Sequence, residues 1–308
     1  MADIRLIDRL VQGETGDVVL IGYPEDEGVR RNGGRPGARQ GPGRFRHWLH
    51  RYGTADNPEE EADLFDITLT DAGDIAGASL EEAHHNLGGK VACVLARGGV
   101  PFVVGGGNDQ SYPNASALLG RGGEGPVGVV NVDAHLDVRP RVDGKAHSGS
   151  PFRLLLEDER FQGENFIEFA AQGSQVSREH AEFVRGKKGR ILWLSELRRE
   201  GSADGVFRNC LGDLAWRCPA IFVSFDLDAL ASFEAPGVSC PGVVGLSAQE
   251  ATSIAYYAGA HPQVALFDLS EYNPVIEEER TGRLAVALFY SFCMGVAHRL
   301  RHRSGEGA

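Results

Sequence analysis

Three things are scarce in this chain of 308 residues, and each scarcity narrows what it can be. No apolar run reaches membrane-spanning length and no charged-then-apolar leader opens the sequence, so the expectation is a protein without a membrane partner, resident in the cytoplasm. Cysteine is sparse: Cys93, Cys210, Cys218, Cys240 and Cys293 include no C-x-x-C pair, which argues against a zinc cluster or a disulfide framework. Cys93 and Cys293 fall in apolar helical patterns and read as core, whereas Cys240 falls in a loop between prolines. Basic residues are outnumbered, 31 Lys and Arg against 43 Asp and Glu for a net charge of -12, so nucleic acid is not an expected partner. The one basic segment, His298 to Arg303, ends an apolar helical stretch, where cations complement the helix dipole.

Linkers and low-complexity blocks are also missing, and residues 1–308 read as one domain. Its acidic run, Glu59-Glu60-Glu61-Ala62-Asp63, follows Pro58 and reads as a solvated loop. With 42% hydrophobic residues the core can be large. Short apolar runs alternate with helix-period stretches, the pattern of an α/β fold: a three-layer αβα arrangement around a mostly parallel sheet of roughly eight strands. The expected strands are Val18–Tyr23, Leu64–Leu69, Val100–Val104, Val127–Val132, Phe166–Ala171, Ile191–Ser195, Ala220–Phe225 and Val264–Leu269. Ser79-Leu80-Glu81-Glu82 and Ser247-Ala248-Gln249-Glu250 are capping-box signals for two helices, and a third is expected over Leu284–Leu300.

The most informative feature lies at the ends of two of these runs. Asn131-Val132-Asp133-Ala134-His135-Leu136-Asp137 is echoed by Ser224-Phe225-Asp226-Leu227-Asp228. If strand alternation continues through them, Asp133, His135 and Asp137 share one face, as do Asp226 and Asp228. Carboxylates gathered in one pocket repel one another and lose solvation, so they call for cations. Oxygen-rich ligation with one imidazole suits manganese better than zinc. Other polar clusters follow neighbouring strands: Gly105-Gly106-Gly107-Asn108-Asp109-Gln110-Ser111 and Ser270-Glu271-Tyr272-Asn273-Pro274. In a parallel sheet these would meet on one rim, beyond the carboxyl ends of the strands.

In this order, the motifs resemble the ureohydrolase superfamily of arginases, agmatinases and formimidoylglutamases, from about Gly33 to Pro274. The resemblance implies an arginase-like fold and two manganese ions. Asp133 and Asp226 would bridge them, His135 and Asp228 would complete one, and Asp137 would belong to the other. Where most of the family has a histidine on the first metal, this chain has Asn108, a weaker neutral donor, so that ion is expected to bind loosely. The nucleophile would be metal-activated water, with Asp137 in proton transfer, His147 as proton shuttle or polar contact, and Glu271 pairing with a cationic amidine. The segment His147-Ser148-Gly149-Ser150-Pro151-Phe152-Arg153, the triple glycine and Ala171-Gln172-Gly173-Ser174-Gln175 look like the formimidoylglutamase branch, which implies hydrolysis of N-formimino-L-glutamate to glutamate and formamide. Its carboxylates call for guanidinium partners: Arg153 first, then Arg31 and Arg35, with Asn131 as a further substrate contact. The remaining histidines, His84 among them, read as structural or surface residues. The rival readings are a ureohydrolase releasing urea from agmatine, guanidinobutyrate or arginine, and a catalytically silent relative. Members of the superfamily commonly form oligomers, so self-association is an expectation.

Overall fold

The computed structural model describes residues 4–59, 63–121 and 125–305; residues 60–62 of the acidic run lie outside them. Among the described residues nine strands form one parallel sheet: β1 (Leu10–Gln12), β2 (Val18–Tyr23), β3 (Leu69–Asp74), β4 (Val100–Gly105), β5 (Val127–Val132), β6 (Phe166–Ala171), β7 (Arg190–Trp193), β8 (Ala220–Asp226) and β9 (Val264–Ser270). Their spatial order is β1-β3-β2-β4-β9-β8-β5-β6-β7, so β5, β8, β9 and β4 are neighbours at its centre. Every strand pair is parallel. Polar loops that follow the central strands therefore emerge on a single rim.

The unbroken apolar runs have the physical cause expected of strands covered on both faces. Along β2, Val18 and Leu20 enter one core and Val19 and Ile21 the other; along β4, Phe102 and Val104 are separated from Val103 in the same way. On the first face Phe102 stacks on Phe267 and meets Phe289 and Phe292 of the long C-terminal helix. On the second, Leu87, Val91 and Val94 of the helix Leu80–Ala96 pack over Val19, Ile21 and Val103. The two serine caps form as the sequence suggests: Ser79 accepts from the Glu82 amide, and Ser247 and Glu250 make a full capping box. No described helix is long and apolar enough to cross a membrane.

The departures lie at the sheet's edges and one helix start. The run Leu64–Leu69 is not a strand: Leu64 and Ile67 are buried outside the sheet, and β3 starts at Leu69 and continues through Thr70, Asp71 and Asp74. A strand this polar is held by Arg46, whose guanidinium reaches Asp71 at 2.7 and 2.8 Å and also binds Asp74. Neither hydrophobic period nor propensity reports such a pair. The three-residue β1 is equally silent in the sequence. The last helix runs over Glu279–Gly305, starting earlier than the apolar pattern because Glu277 accepts the Arg280 and Thr281 amides.

Asp268 on β9 is fully buried, accepts from Asn114 Nδ2 at 2.7 Å, and has its carboxyl pushed up to about 7 by burial. The folded protein therefore keeps a proton that the unfolded chain releases near pH 4. Its contribution to stability is full below that pH, falls as pH rises toward 7, and is constant above. Asp268→Asn should remove this dependence, up to about 4 kcal/mol as an order of magnitude. Urea unfolding of wild type and variant between pH 4 and 8, without metal, checks it: a pH-independent difference would contradict the assignment.

Candidate metal centre

Strand β5 ends at Val132 and β8 at Asp226, so the two acidic motifs lie at and just beyond the strand ends. Pleat alternation is consequently not what gathers them, contrary to the expectation from spacing. Two local devices do. Asp133 Oδ1 accepts the His135 amide at 2.7 Å, and Asp226 Oδ1 accepts the Asp228 amide at 2.9 Å; each folds its motif into a tight turn that aims two side chains the same way. Asp137 then adopts a left-handed backbone with φ of 46°, turning its carboxylate back toward the others. Glu271, with φ of 68°, does the same after β9. Left-handed conformations are uncommon outside glycine, and among the described residues two of the five that are not glycine, Asp137 and Glu271, line the cavity.

The turn after β4 closes the arrangement. Gly106 packs so tightly that a Cβ there would lie 1.8 Å from the Glu25 carbonyl oxygen, which explains a glycine at that point. The Gly106 carbonyl in turn accepts the Glu271 amide at 2.8 Å, while Glu271 Oε1 accepts the Asn108 amide at 3.2 Å.

Donor atoms converge in two sets, Asp133 with His135 and Asp228, and Asp133 with Asp137 and Asp226, each within 4.8 Å of one another. Asp133 is common to both. His135 Nδ1 lies 3.3 Å from Asp133 Oδ1 and 3.2 Å from Asp228 Oδ2. Burial, then repulsion from the other carboxylates, raises Asp137 and Asp226 well above the usual carboxylate range, and burial pushes Asp228 up to about 6. Burial acts on Asp133 in the same sense, but hydrogen bonding and attraction from His135 outweigh it and lower this carboxyl; the imidazole is raised mainly by Asp228. The two directions describe one cluster sharing too few positive charges. Asp228 Oδ1 and Glu271 Oε2 are buried without a hydrogen-bond partner. Hard oxygen donors, one imidazole and orphaned buried oxygens fit divalent cations.

A cavity of about 340 Å³ opens over this floor, lined by His135, Asp137, Asp226, Asp228 and Glu271 below and by Arg35, Arg139 and His180 nearer the surface. Not every residue expected at the site from the sequence is there. Asn108 turns its Nδ2 to Asp137 Oδ2 at 2.9 Å, and its Oδ1 takes the hydroxyls of Ser111 and Ser270. In this arrangement the amide is a hydrogen-bond partner of the Asp137 carboxylate. His147 is buried outside the lining: its Nε2 is 2.9 Å from the Pro140 carbonyl oxygen and its Nδ1 accepts the Gly149 amide. Both ring nitrogens are engaged by the loop they brace. Arg153 pairs with Glu157 at 2.9 Å and lies over the Phe183 ring, and Arg31 pairs with Glu81 at 2.7 Å; neither lines the cavity. Asn131 lies beneath Asp133, also outside the lining. Arg35 does line it, with its guanidinium bound to the Ser239 and Val238 carbonyls.

Arg139 was not anticipated, although it stands two residues beyond Asp137 in Asp137-Val138-Arg139. It donates to Asn32 Oδ1 at 3.1 Å and, after burial, helps lower the His180 imidazole. Cys240, expected in a loop, is exposed and lines the same cavity; Cys293 is buried and Cys93 half-buried. His84, read as structural or surface, forms a 2.8 Å contact with the buried Asp109, which also accepts from Tyr23.

A family model described as arginase family matches residues 16–295. A formimidoylglutamase of Geobacillus thermodenitrificans is 32% identical over 286 residues, 89% of this chain and 82% of the relative. The crystal structure of Trypanosoma cruzi formiminoglutamase with manganese is similar at a TM-score of 0.92 and 50% identity, covering 97% of this chain and 100% of that one. A manganese-containing variant of the same enzyme, with a histidine replacing an asparagine, matches at 0.92 and 50%, over 96% and 99% of the two chains.

Divalent cations bound by the folded chain alone should stabilise it by about 4 kcal/mol at a free concentration a thousandfold above the dissociation constant. With Mn2+ as probe, Tm should rise by several degrees. Asp133→Asn, which touches both donor sets, should lose most of that rise, and Asp228→Asn only part of it. Differential scanning fluorimetry with and without Mn2+ measures this; an equal rise in Asp133→Asn would show that the ion binds elsewhere.

Proposed function

The chain belongs to the arginase family, and from that premise we propose that it hydrolyses N-formimino-L-glutamate to L-glutamate and formamide, using two manganese ions on the acidic floor. The observation that carries the reading is the polarity of one cavity. Its lining combines the buried acids Asp226, Asp228 and Glu271 with the exposed Arg35 and Arg139 and the half-buried His180. The proposed substrate has the matching polarity, an amidinium at one end and two carboxylates at the other. The named relatives, formimidoylglutamases, support the choice of substrate.

When bound by Asp133, His135, Asp137, Asp226 and Asp228, divalent ions supply a strongly acidified water and polarise the attacked carbon. The chain's own residues do the rest. Glu271 Oε2, buried and unpartnered, accepts from the amidinium and holds the formimino carbon over the carboxylates. Water adds to that carbon, the bond to the glutamate nitrogen breaks, and that nitrogen gains a proton. Asp137, on the cavity wall, is placed to carry the proton across. Asn108, donating to Asp137 Oδ2, keeps the other oxygen of that carboxylate available. At the mouth, the Arg139 guanidinium and the Arg35 side chain give the anionic end its counter-charge, in a protein whose net charge is otherwise -12.

An assay in Mn2+ should give formamide and glutamate from formiminoglutamate and little or no urea from agmatine or arginine; urea as the main product would overturn the substrate assignment. Loss of a charge-assisted contact is worth about 1.5–3 kcal/mol, so Arg139→Ala should raise KM about tenfold to a hundredfold with a smaller change in kcat. Arg153→Ala should leave KM near wild type. The reverse pattern would move the carboxylate contact to Arg153.

A further inference from the structure

Asn131 on β5 faces Glu168 on β6 in register, and both side chains are fully buried. The Asn131 Nδ2 lies 3.0 and 3.2 Å from the two Glu168 oxygens and 3.3 Å from Asp133 Oδ2. A carboxamide nitrogen carries two hydrogens and no acceptor. One is given to Glu168, the other to Asp133. The amide cannot turn over without aiming its oxygen at two carboxyl groups, and that oxygen is buried without a partner, so the side chain gives up its acceptor to present two donors. Asp133 Oδ1 is fixed separately by the His135 amide. Both oxygens of the carboxylate shared by the two donor sets are thus oriented, one by its own turn and one from the strand beneath.

We propose that Glu168 and Asn131 are positioning residues for the metal centre: Glu168 holds the Asn131 amide, the amide holds Asp133 Oδ2, and the affinity of both ion sites depends on that chain of contacts. The inference rests on the binuclear reading of the site. It replaces the expectation that Asn131 touches substrate, because Asn131 lies outside the cavity lining. Glu168 has no counterpart among the acidic motifs of the sequence, standing inside the apolar run Phe166-Ile167-Glu168-Phe169. Burial, followed by repulsion from Asp133, raises its carboxyl well above the usual range; in either protonation state it retains an oxygen to accept the Asn131 hydrogen.

Residues that orient metal ligands typically change metal affinity 10- to 100-fold when removed. Free Mn2+ in titrations of metal-free protein, read by electron paramagnetic resonance, should show that loss for Asn131→Ala and Glu168→Ala. Glu168→Gln, which keeps an acceptor for the amide, should stay within about threefold of wild type. Circular dichroism and Tm without metal establish that each variant is folded; should an alanine variant not fold, Asn131→Ser and Glu168→Ser are judged by the same loss. Wild-type affinity in the folded Asn131 variant, or a raised KM with unchanged Mn2+ binding, would overturn the proposal. Failure of the wild-type chain to bind Mn2+ would instead overturn the metal reading beneath it.

Discussion

Everything at the rim of this sheet depends on an electrostatic imbalance: Asp137, Asp226, Asp228 and Glu271 line one cavity, Asp133 joins them through the two donor sets, and His135 is the one imidazole in those sets. Desolvation and mutual repulsion both act against ionisation there, and they raise Asp137, Asp226, Asp228 and Glu271 above the usual carboxylate range. Divalent ions would reverse that state, because their charge becomes the largest in the site and draws the carboxylates into ionised form. Ion binding should therefore be coupled to proton release.

Such a cluster persists only if the surrounding structure over-determines it. The scaffold does so by spreading the acids over the carboxyl ends of three adjacent strands, β5, β8 and β9, whose apolar residues enter the cores on both faces. Repulsion among the acids is opposed by two separate cores rather than by one local contact. The unusual backbones at Asp137 and Glu271 are anchored in the same way. The Asp137 carbonyl accepts the Phe152 amide, and the Glu271 amide donates to the Gly106 carbonyl, so the conformations that aim the two acids are tied to neighbouring segments.

What could be read from the sequence was what repeats or is contiguous. The apolar runs marked most strands, the serine caps marked two helix starts, and the Asp133 and Asp226 motifs marked the acids whose donor atoms converge. What could not be read depends on partners distant in the chain. Arg46 turns the acidic segment around Asp71 into a strand by binding it across 25 residues. Arg153 looked available, yet Phe183 and Glu157 occupy its guanidinium. Arg139 is indistinguishable by type from the chain's other arginines, and only the loop leaving Asp137 carries it to the cavity mouth. His147 illustrates the same point in reverse: its place in a loop beside the site suggested chemistry, but the fold spends both nitrogens on the backbone of that loop.

Asn108 joins these levels. By residue type it suggested a weak ligand; by contact it is a donor, with Ser111 and Ser270 hydroxyls on its oxygen and Asp137 on its nitrogen. Ser270 also reaches Asp226 Oδ2, and Ser111 reaches Ser224, so the amide belongs to a network that touches acids from two different loops. The two donor sets are then unequal in composition, since His135 serves one and an amide N–H supports a carboxylate of the other. Asymmetry of this kind has a chemical consequence independent of how tightly each ion is held. Imidazole donates electron density to its ion, whereas an amide N–H withdraws it from the carboxylate it touches. The Asn108 contact thereby offsets part of the rise that burial and Asp133 impose on the Asp137 carboxyl.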